Sequence, residues 1–177
     1  MSFMLESRVQ NILNKVYQVV GNQGQIYTAQ INLTINIPAG APAGQPLPVQ
    51  MSITLGQNTL SGSAIVVPAT QAWIIADIYT TGTPSIDGNL LIYKNGVKFL
   101  ETTPNLSALT INNPARIPIP VPVKYFPQET INMLFVPAAA NSGSTTVTDT
   151  AYAIVVVIDF SYSNLPPAAI ASMLSTV

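Results

Sequence analysis

Proline occupies every second position within the segment PARIPIPVPVKYF, residues 114–126, at Pro118, Pro120 and Pro122. Proline has no backbone N–H, and in a strand the backbone groups of residues i, i+2 and i+4 point toward the same lateral neighbour. This segment therefore cannot pair with a strand on that side. We predict an edge strand that is blocked on one side, whose intervening residues all face a core: Ile117, Ile119, Val121 and Val123.

Apolar and polar residues alternate strictly along much of the rest of the chain. In QINLTINI, residues 30–37, every second side chain is Ile or Leu, which is the pattern of a strand with one face in a core. Similar segments follow at regular spacing, and Asn95-Gly96 is a strong signal for a tight hairpin. We predict an all-β fold of about eight to ten strands, a single antiparallel jelly-roll barrel or sandwich. An immunoglobulin-like sandwich is the rival, but the chain lacks the cysteine framework of that fold and is longer.

The two ends and one internal segment depart from this pattern. Residues 2–20 carry apolar side chains at steps of three and four, which predicts an N-terminal amphipathic helix. Residues 38–48, PAGAPAGQPLP, predict an extended arm or long loop. We therefore divide the chain into an N-terminal helix (1–21), a jelly-roll barrel (22–164) that includes the arm, and a C-terminal tail or short helix (165–177).

The composition excludes several classes of function. Histidine and cysteine are absent, which removes imidazole catalysis, disulfides and thiolate metal sites. Charged residues are only 7% of the chain, the net charge is −1, and no charge occurs between Lys15 and Asp77. Six scattered Lys and Arg residues give no electrostatic footprint for nucleic acid. A surface so poor in charge repels its copies weakly and favours association.

The carboxylates offer weak candidates for catalysis. Asp77 and Asp159 form the pair to consider for glycoside hydrolysis, because both lie in otherwise apolar strands. We expect instead that each occupies an outward position or a strand end. Asp87 in TPSIDGN fits a turn better than a calcium loop, because oxygen ligands at alternate positions are missing. We predict no catalytic, cofactor or metal site and no enzymatic activity.

The aromatic residues and the helix stripe each allow two interpretations. A sugar-stacking platform is possible for seven aromatics, although packing inside the sandwich or between subunits is favoured: Trp73, Tyr79, Tyr93, Phe99, Tyr125, Tyr152 and Tyr162. The apolar stripe of the N-terminal helix has three alternative partners: the barrel of its own chain, a neighbouring subunit or a membrane. Its polar side has only Arg8 and Lys15 against Glu6, which favours protein over lipid.

A single-domain jelly roll with a helical N-terminus, a proline-rich arm and a nearly neutral surface resembles viral capsid proteins. It is most similar to the small major capsid protein of tailless icosahedral phages that enclose a membrane and infect Thermus. The resemblance covers most of the chain in size and architecture and rests on no catalytic motif. It implies a shell-forming structural protein that binds copies of itself and a second capsid protein. It leaves open whether the helix touches the internal virion membrane.

The residues expected at protein interfaces lie on the helix and in the arm: Leu5, Val9, Ile12, Val16, Pro38, Pro42, Pro46 and Pro48. The N-terminus lacks the pattern of a secretory signal, so we expect synthesis in the host cytoplasm and residence in the virion. The alternative is a carbohydrate- or receptor-binding sandwich of a phage tail or spike.

Overall fold

A computed structural model describes residues 3–101 and 105–177. The described residues form two α-helices, eleven strands and two short 3₁₀ turns, the latter at Leu106–Leu109 and Leu174–Thr176. The helices are α1 (Phe3–Val20) and α2 (Pro167–Met173). The strands are β1 (Gln25–Ile37), β2 (Leu47–Pro48), β3 (Gln50–Leu55), β4 (Asn58–Gly62), β5 (Ala64–Val66), β6 (Gln71–Tyr79), β7 (Gly88–Lys94), β8 (Val97–Glu101), β9 (Val123–Tyr125), β10 (Thr130–Pro137) and β11 (Val147–Asp159).

The strands form two antiparallel sheets. The six-stranded sheet has the order β4-β3-β1-β11-β6-β9, and the five-stranded sheet has the order β2-β10-β7-β8, with β5 also paired to β10. The four strands β1-β11-β6-β9 therefore face β2-β10-β7-β8, which is the strand order of a jelly roll. The predicted all-β jelly roll is confirmed. The Asn95-Gly96 hairpin also forms, with both residues at positive φ between β7 and β8.

The inward faces of the two sheets enclose the main core. Alternate residues of β1 are buried, as its sequence pattern predicts: Ile31, Leu33, Ile35 and Ile37. Trp73 of β6 and Phe135 of β10 contribute large side chains from the two sheets. Burying each such side chain stabilises the fold by about 1.5–3 kcal/mol.

A second core lies on the outer face of the six-stranded sheet. The stripe of α1 packs there against outward residues of β6 and β11, including Ile74 and Val156. Ile170 of α2 and Leu174 pack into the same cluster. Both ends of the described chain therefore cover one sheet face. Helix α1 stops at Gly21, whose φ of 57° is a left-handed conformation that glycine adopts without strain.

Strand β6 contains a bulge that changes which face its side chains occupy. Ile154 of β11 pairs with Asp77, but the next residue, Val155, pairs with Ile75, so Ala76 is an extra residue in β6. Consequently Ile75 and Ile78 both face the main core although they are three positions apart. Arg8 of α1 donates its Nε–H to the carbonyl oxygen of Ala76 at 2.9 Å, which ties the helix to the bulge.

The proline segment differs from its prediction as a strand. Residues 117–122 lie outside any strand, and β9 begins only at Val123, at one edge of the six-stranded sheet. Ile117 and Val121 are 46% and 49% exposed, whereas Ile119 is buried, so these side chains do not share one inward face. The three prolines remove ladder donors, and the remaining N–H groups find other acceptors. Those of Ile117 and Ile119 are donated to Ala108 O and to the Asp77 carboxylate.

Candidate assembly surfaces

The interface residues predicted on α1 are covered by their own subunit. Leu5, Val9, Ile12 and Val16 are all buried in the second core. The expectation that these four contact a neighbouring copy is therefore corrected, because the same chain already occupies their apolar surface. No helix in the described ranges, 3–101 and 105–177, is both long and apolar enough to cross a membrane.

Residues 38–46 form a loop with two turns rather than an extended arm, and Leu47 and Pro48 form β2. Gly40 N–H donates to Asn141 O at 2.9 Å, and Asn141 N–H donates to Ala41 O at 2.9 Å. The Asn141 side-chain amide also donates to Ile37 O at 2.9 Å and to Pro38 O at 3.1 Å. The loop is thus held by its own subunit, while its predicted interface prolines are exposed: Pro38, Pro42, Pro46 and Pro48.

A buried ion pair anchors the segment before β9. Arg116 Nη2 lies 2.9 Å from Asp77 Oδ2, and it also donates to Ile78 O at 3.0 Å. Asp77 Oδ1 accepts the N–H groups of Ile78 at 2.8 Å and Ile119 at 3.3 Å. The sequence identified Asp77 as unusual but gave no sign of Arg116, because a single arginine in a loop has no periodic pattern. Asp77 pairs with Ile154 of the second core and lies two residues before the end of β6, as the expected outward position or strand end requires, but it is completely buried.

The carboxylates do not form a catalytic pair. Asp77 pairs with Ile154 across the ladder and Asp159 pairs with Gln71, so the two acids are five residues apart along β11, roughly 17 Å. That separation is too large for either geometry of glycoside hydrolysis. In the described part of the chain, no group of three or more His, Cys, Asp or Glu residues lies close enough to hold a metal ion.

Asp159 instead organises a polar network at the end of β11. Its carboxylate accepts hydrogen bonds from Ser161 N–H at 2.8 Å and from Gln71 Nε2 at 3.2 Å. Gln71 in turn accepts the indole N–H of Trp73 at 2.9 Å. Partial burial raises the pKa of Asp159, but hydrogen bonds from Ser161 and Gln71 outweigh it and hold the pKa below its ordinary value.

Three of the seven aromatic residues suggested for sugar stacking are buried, Trp73, Tyr79 and Tyr125, whereas Phe99 and Tyr162 are 52% and 91% exposed. Tyr125 is fully buried, and its hydroxyl donates to Tyr93 O at 2.9 Å. Burial, followed by the nearby Glu129 charge, raises the pKa of Tyr125 far above its usual range. Tyr79 is also buried and stacks against Tyr152 at a ring-centroid distance of 5.3 Å. Tyr79 and Tyr125 are therefore inaccessible to a glycan, and the exposed aromatics Phe99 and Tyr162 lie on separate segments, β8 and the stretch after β11.

A cluster of cations fastens the C-terminal tail. Lys124 Nζ donates to Leu174 O at 3.0 Å and to Ser175 O at 3.4 Å. Lys94 pairs with Glu129 at 3.0 Å and donates to Lys124 O at 3.0 Å. Burial and then the Lys94 charge lower the pKa of Lys124. The tail residues Ala171 and Ser175 line a hollow together with Phe99 of β8 and Pro122 of the proline segment. These two segments carry four exposed apolar side chains, which we call the exposed apolar margin: Val97, Phe99, Ile117 and Val121.

A flat and uncharged surface lies on the outer face of the six-stranded sheet beside α1. It is built by β1, β3, β4 and the first half of β11, and we call it the hydroxyl–amide face. Its members are polar and unionisable: Gln30, Asn32, Thr34, Asn36, Ser52, Thr54, Thr59, Ser61, Thr148 and Thr150. Several bond one another, as in Thr148 Oγ1 to Asn36 Oδ1 at 2.9 Å. Sequence alternation identified these positions as outward but gave no reason to single them out.

The outer face of the five-stranded sheet has a different character. Its outward residues on β7 and β10 are mainly apolar with two amides, and we call them the leucine–asparagine face: Asn89, Leu91, Tyr93, Asn132, Leu134 and Val136. The Oδ1 atoms of Asn89 and Asn132 are buried and accept no hydrogen bond from the described residues. Buried acceptors without a donor are uncommon in folded proteins and invite an explanation.

Comparisons with known proteins agree with this architecture. A family model described as the Sulfolobus polyhedral virus 1 major capsid protein VP4 matches residues 4–177. Capsid protein VP4 of Sulfolobus polyhedral virus 1 is 41% identical over 180 residues, which cover 96% of this chain and 97% of that protein. The resemblance to viral capsid proteins is thereby confirmed, although the matched family comes from an archaeal virus and not from the phages of Thermus. The chain belongs to the family of the Sulfolobus polyhedral virus 1 major capsid protein VP4.

Proposed function

We propose that this chain is a structural capsid subunit whose copies associate into a virion shell. The observation that carries the proposal is the match of residues 4–177, nearly the whole chain, to a major capsid protein family. The jelly-roll architecture and the nearly neutral surface support it, because such a surface opposes contact between copies only weakly. The role is structural rather than enzymatic, and its location is the virion.

The segment 38–48 is one contact in this proposal. Its four prolines are exposed, and their fixed φ angles mean that little conformational entropy is lost when a neighbour covers them. Because the loop is hydrogen bonded to Asn141 of its own subunit, we propose a preformed contact rather than an arm that exchanges between copies.

The proposal also includes a second capsid protein. It would occupy positions in the shell at which a ring of identical subunits cannot close. We do not extend the proposal to a membrane contact through the α1 stripe, since this stripe already packs on β6 and β11. Membrane contact would require α1 to leave the sheet and expose the second core to water.

The proposal is tested on purified full-length chain by light scattering over a range of concentrations, with negative-stain microscopy of the largest species. We expect oligomers that grow with concentration and regular arrays or shells. Purified particles from the native source should contain this chain as a main band by mass spectrometry. A chain that stays monomeric at every concentration and is missing from the particles would refute the capsid role.

A further inference from the structure

We infer that the hydroxyl–amide face of one copy packs against the leucine–asparagine face of the next copy, an arrangement that depends on the capsid function proposed above. The two faces lie on opposite sides of the same sandwich, since one is the outer face of the six-stranded sheet and the other that of the five-stranded sheet. A contact between unlike faces is heterologous and builds a ring when its rotation closes.

The hydroxyl–amide face can be covered at little cost in hydration. None of its ten named side chains carries a charge, so no ion among them must be stripped of water. Many of its polar groups already satisfy one another. Gln30 Nε2 donates to Asn32 Oδ1 at 2.8 Å, and the hydroxyls of Thr54 and Thr59 lie 3.0 Å apart. Groups that keep their hydrogen bonds when water leaves do not incur the penalty of an unpaired buried polar atom.

The leucine–asparagine face has apolar surface and unused acceptors. Leu134 and Val136 are half-buried and supply its accessible apolar surface, whereas Leu91, the cross-strand partner of Leu134, is 8% exposed. In this fold both helices lie on the other sheet, so among the described residues neither helix covers this face. Among the described residues, the Oδ1 atoms of Asn89 and Asn132 have no donor. Both side chains are only partly buried although their oxygens are not exposed, so an amide must rotate before its oxygen can meet a donor on an arriving copy.

The two faces complement each other chemically. Thr34, Thr54 and Thr150 each present a methyl group and a hydroxyl on the hydroxyl–amide face. The methyl groups suit the leucines of the opposite face, and the hydroxyls are donors for the two asparagine oxygens. Two hydroxyl–amide faces packed together would leave those oxygens unpaired, which favours the contact between unlike faces.

The hydroxyl–amide face supplies about half of the area of a typical subunit contact. From Gln30 to Asn36 it extends about 20 Å along β1, and its four strands span about 19 Å, a projected area of about 400 Å². A stable contact buries roughly 800 Å² on each partner. Exposed Pro38 directly follows β1 and adjoins the Asn36 end, whereas exposed Pro48 pairs with Leu134 of the leucine–asparagine face, so the segment 38–48 adds area to both faces.

The absence of cysteine from the chain allows a direct test by site-specific cross-linking. Thr34→Cys marks the hydroxyl–amide face and Leu134→Cys marks the other. The two variants are mixed under the assembly conditions and treated with a short bis-maleimide, and Asn32→Cys with Val136→Cys provides a second pair that covers a shift in register. Gln18→Cys on the exposed side of α1 is the control for random collision.

A cross-linked dimer in the mixed sample, in excess over either variant alone and over the Gln18→Cys mixtures, is the expected result. Assembly without this cross-link in either pair overturns the inference and leaves the capsid function standing. A dimer formed by Thr34→Cys alone also overturns it, because that product reports like faces in contact. If light scattering shows no assembly, both the inference and the proposed function fail.

Asn132→Leu gives an independent readout, since it removes one unpaired oxygen and keeps a similar side-chain volume. We expect an isolated subunit that melts at the same or a higher temperature, together with at least a several-fold weaker association. Association that is unchanged or stronger would overturn the role assigned to the asparagine oxygen.

Discussion

Arg116 Nη2 and Asp77 Oδ2 lie 2.9 Å apart, and the two side chains are 2% and 0% exposed. The pair joins the loop before β9 to the bulged end of β6, so it fixes the edge of the six-stranded sheet where the proline segment departs. Within the described ranges, Arg116 Nε and Nη1 have no hydrogen-bond partner. The pair therefore acts mainly by holding two elements together, because an incompletely satisfied buried ion pair adds little net stability.

Asp77→Asn should lower the free energy of unfolding by about 3–5 kcal/mol, because it leaves the Arg116 charge buried without a counter-charge. The loss is measured by chemical denaturation of dilute subunits. Glu129→Gln is the matched control, since the Lys94–Glu129 pair is partly exposed and Gln still accepts the N–H of Phe126. Its cost should stay below about 1 kcal/mol. Equal losses in the two variants would contradict the anchoring role of the buried pair.

Leu5→Ala should destabilise the isolated subunit by about 2–5 kcal/mol, because Leu5 is completely buried in the second core. Gln10→Ala on the exposed side of α1 should change stability by less than about 0.5 kcal/mol. Both are measured on dilute monomer and compared with assembly by light scattering. A Leu5→Ala subunit of unchanged stability that no longer assembles would assign the helix stripe to an intersubunit contact.

Replacing Pro118, Pro120 and Pro122 together with threonine should leave the sandwich folded but raise aggregation. The change restores three N–H donors in a segment beside the exposed apolar margin, and it frees an extended chain to pair with other copies. Turbidity during concentration measures the effect, with the exposed Pro46→Thr variant as a control for loss of proline alone. Solubility equal to that of the control would show that these prolines do not protect the edge.

Asp159→Asn should destabilise the subunit at neutral pH and lose that effect in acid. The folded pKa of Asp159 lies below its unfolded value, so its contribution is complete above the unfolded pKa and disappears as pH falls through the folded pKa. Because the group is largely exposed, the difference should not exceed about 1 kcal/mol. Denaturation curves at neutral pH and near pH 2 measure it, and Ser161→Ala should show the same trend. A difference that persists in acid would point to lost packing instead.

Sequence reasoning recovered the strands and α1 because each has two faces in different environments. The alternation in residues 30–37 predicted which side chains of β1 face the main core, and the structure buries those residues. The step of three and four in α1 likewise predicted its apolar stripe. What such a pattern cannot specify is the partner, since a stripe buried on its own sheet and one buried on a neighbour have the same periodicity.

A missed signal for the partner of α1 was present in β6 and β11. The runs AWIIADIY and AIVVVID are nearly continuous in apolar residues, which is the pattern of strands buried on both faces. The prediction that the proline segment forms a strand was wrong because a contact distant in the sequence overrode the local pattern. The alternation of the segment fits a strand, but without half of its donors the backbone took the Asp77 carboxylate as an acceptor. That contact depends on residues about forty positions apart, so local sequence does not contain it.

The pairing of β1 with β11 brings Gln25 opposite Asp159, so the earliest strand is flanked by the latest one to leave the ribosome. Contacts between segments so far apart in the sequence form slowly, and this pairing cannot form until β11 has been synthesised. Thr148 and Thr150 also complete the hydroxyl–amide face, which therefore does not exist on a nascent or truncated polypeptide. Only a chain that is completely synthesised and folded would therefore present this face to a growing particle.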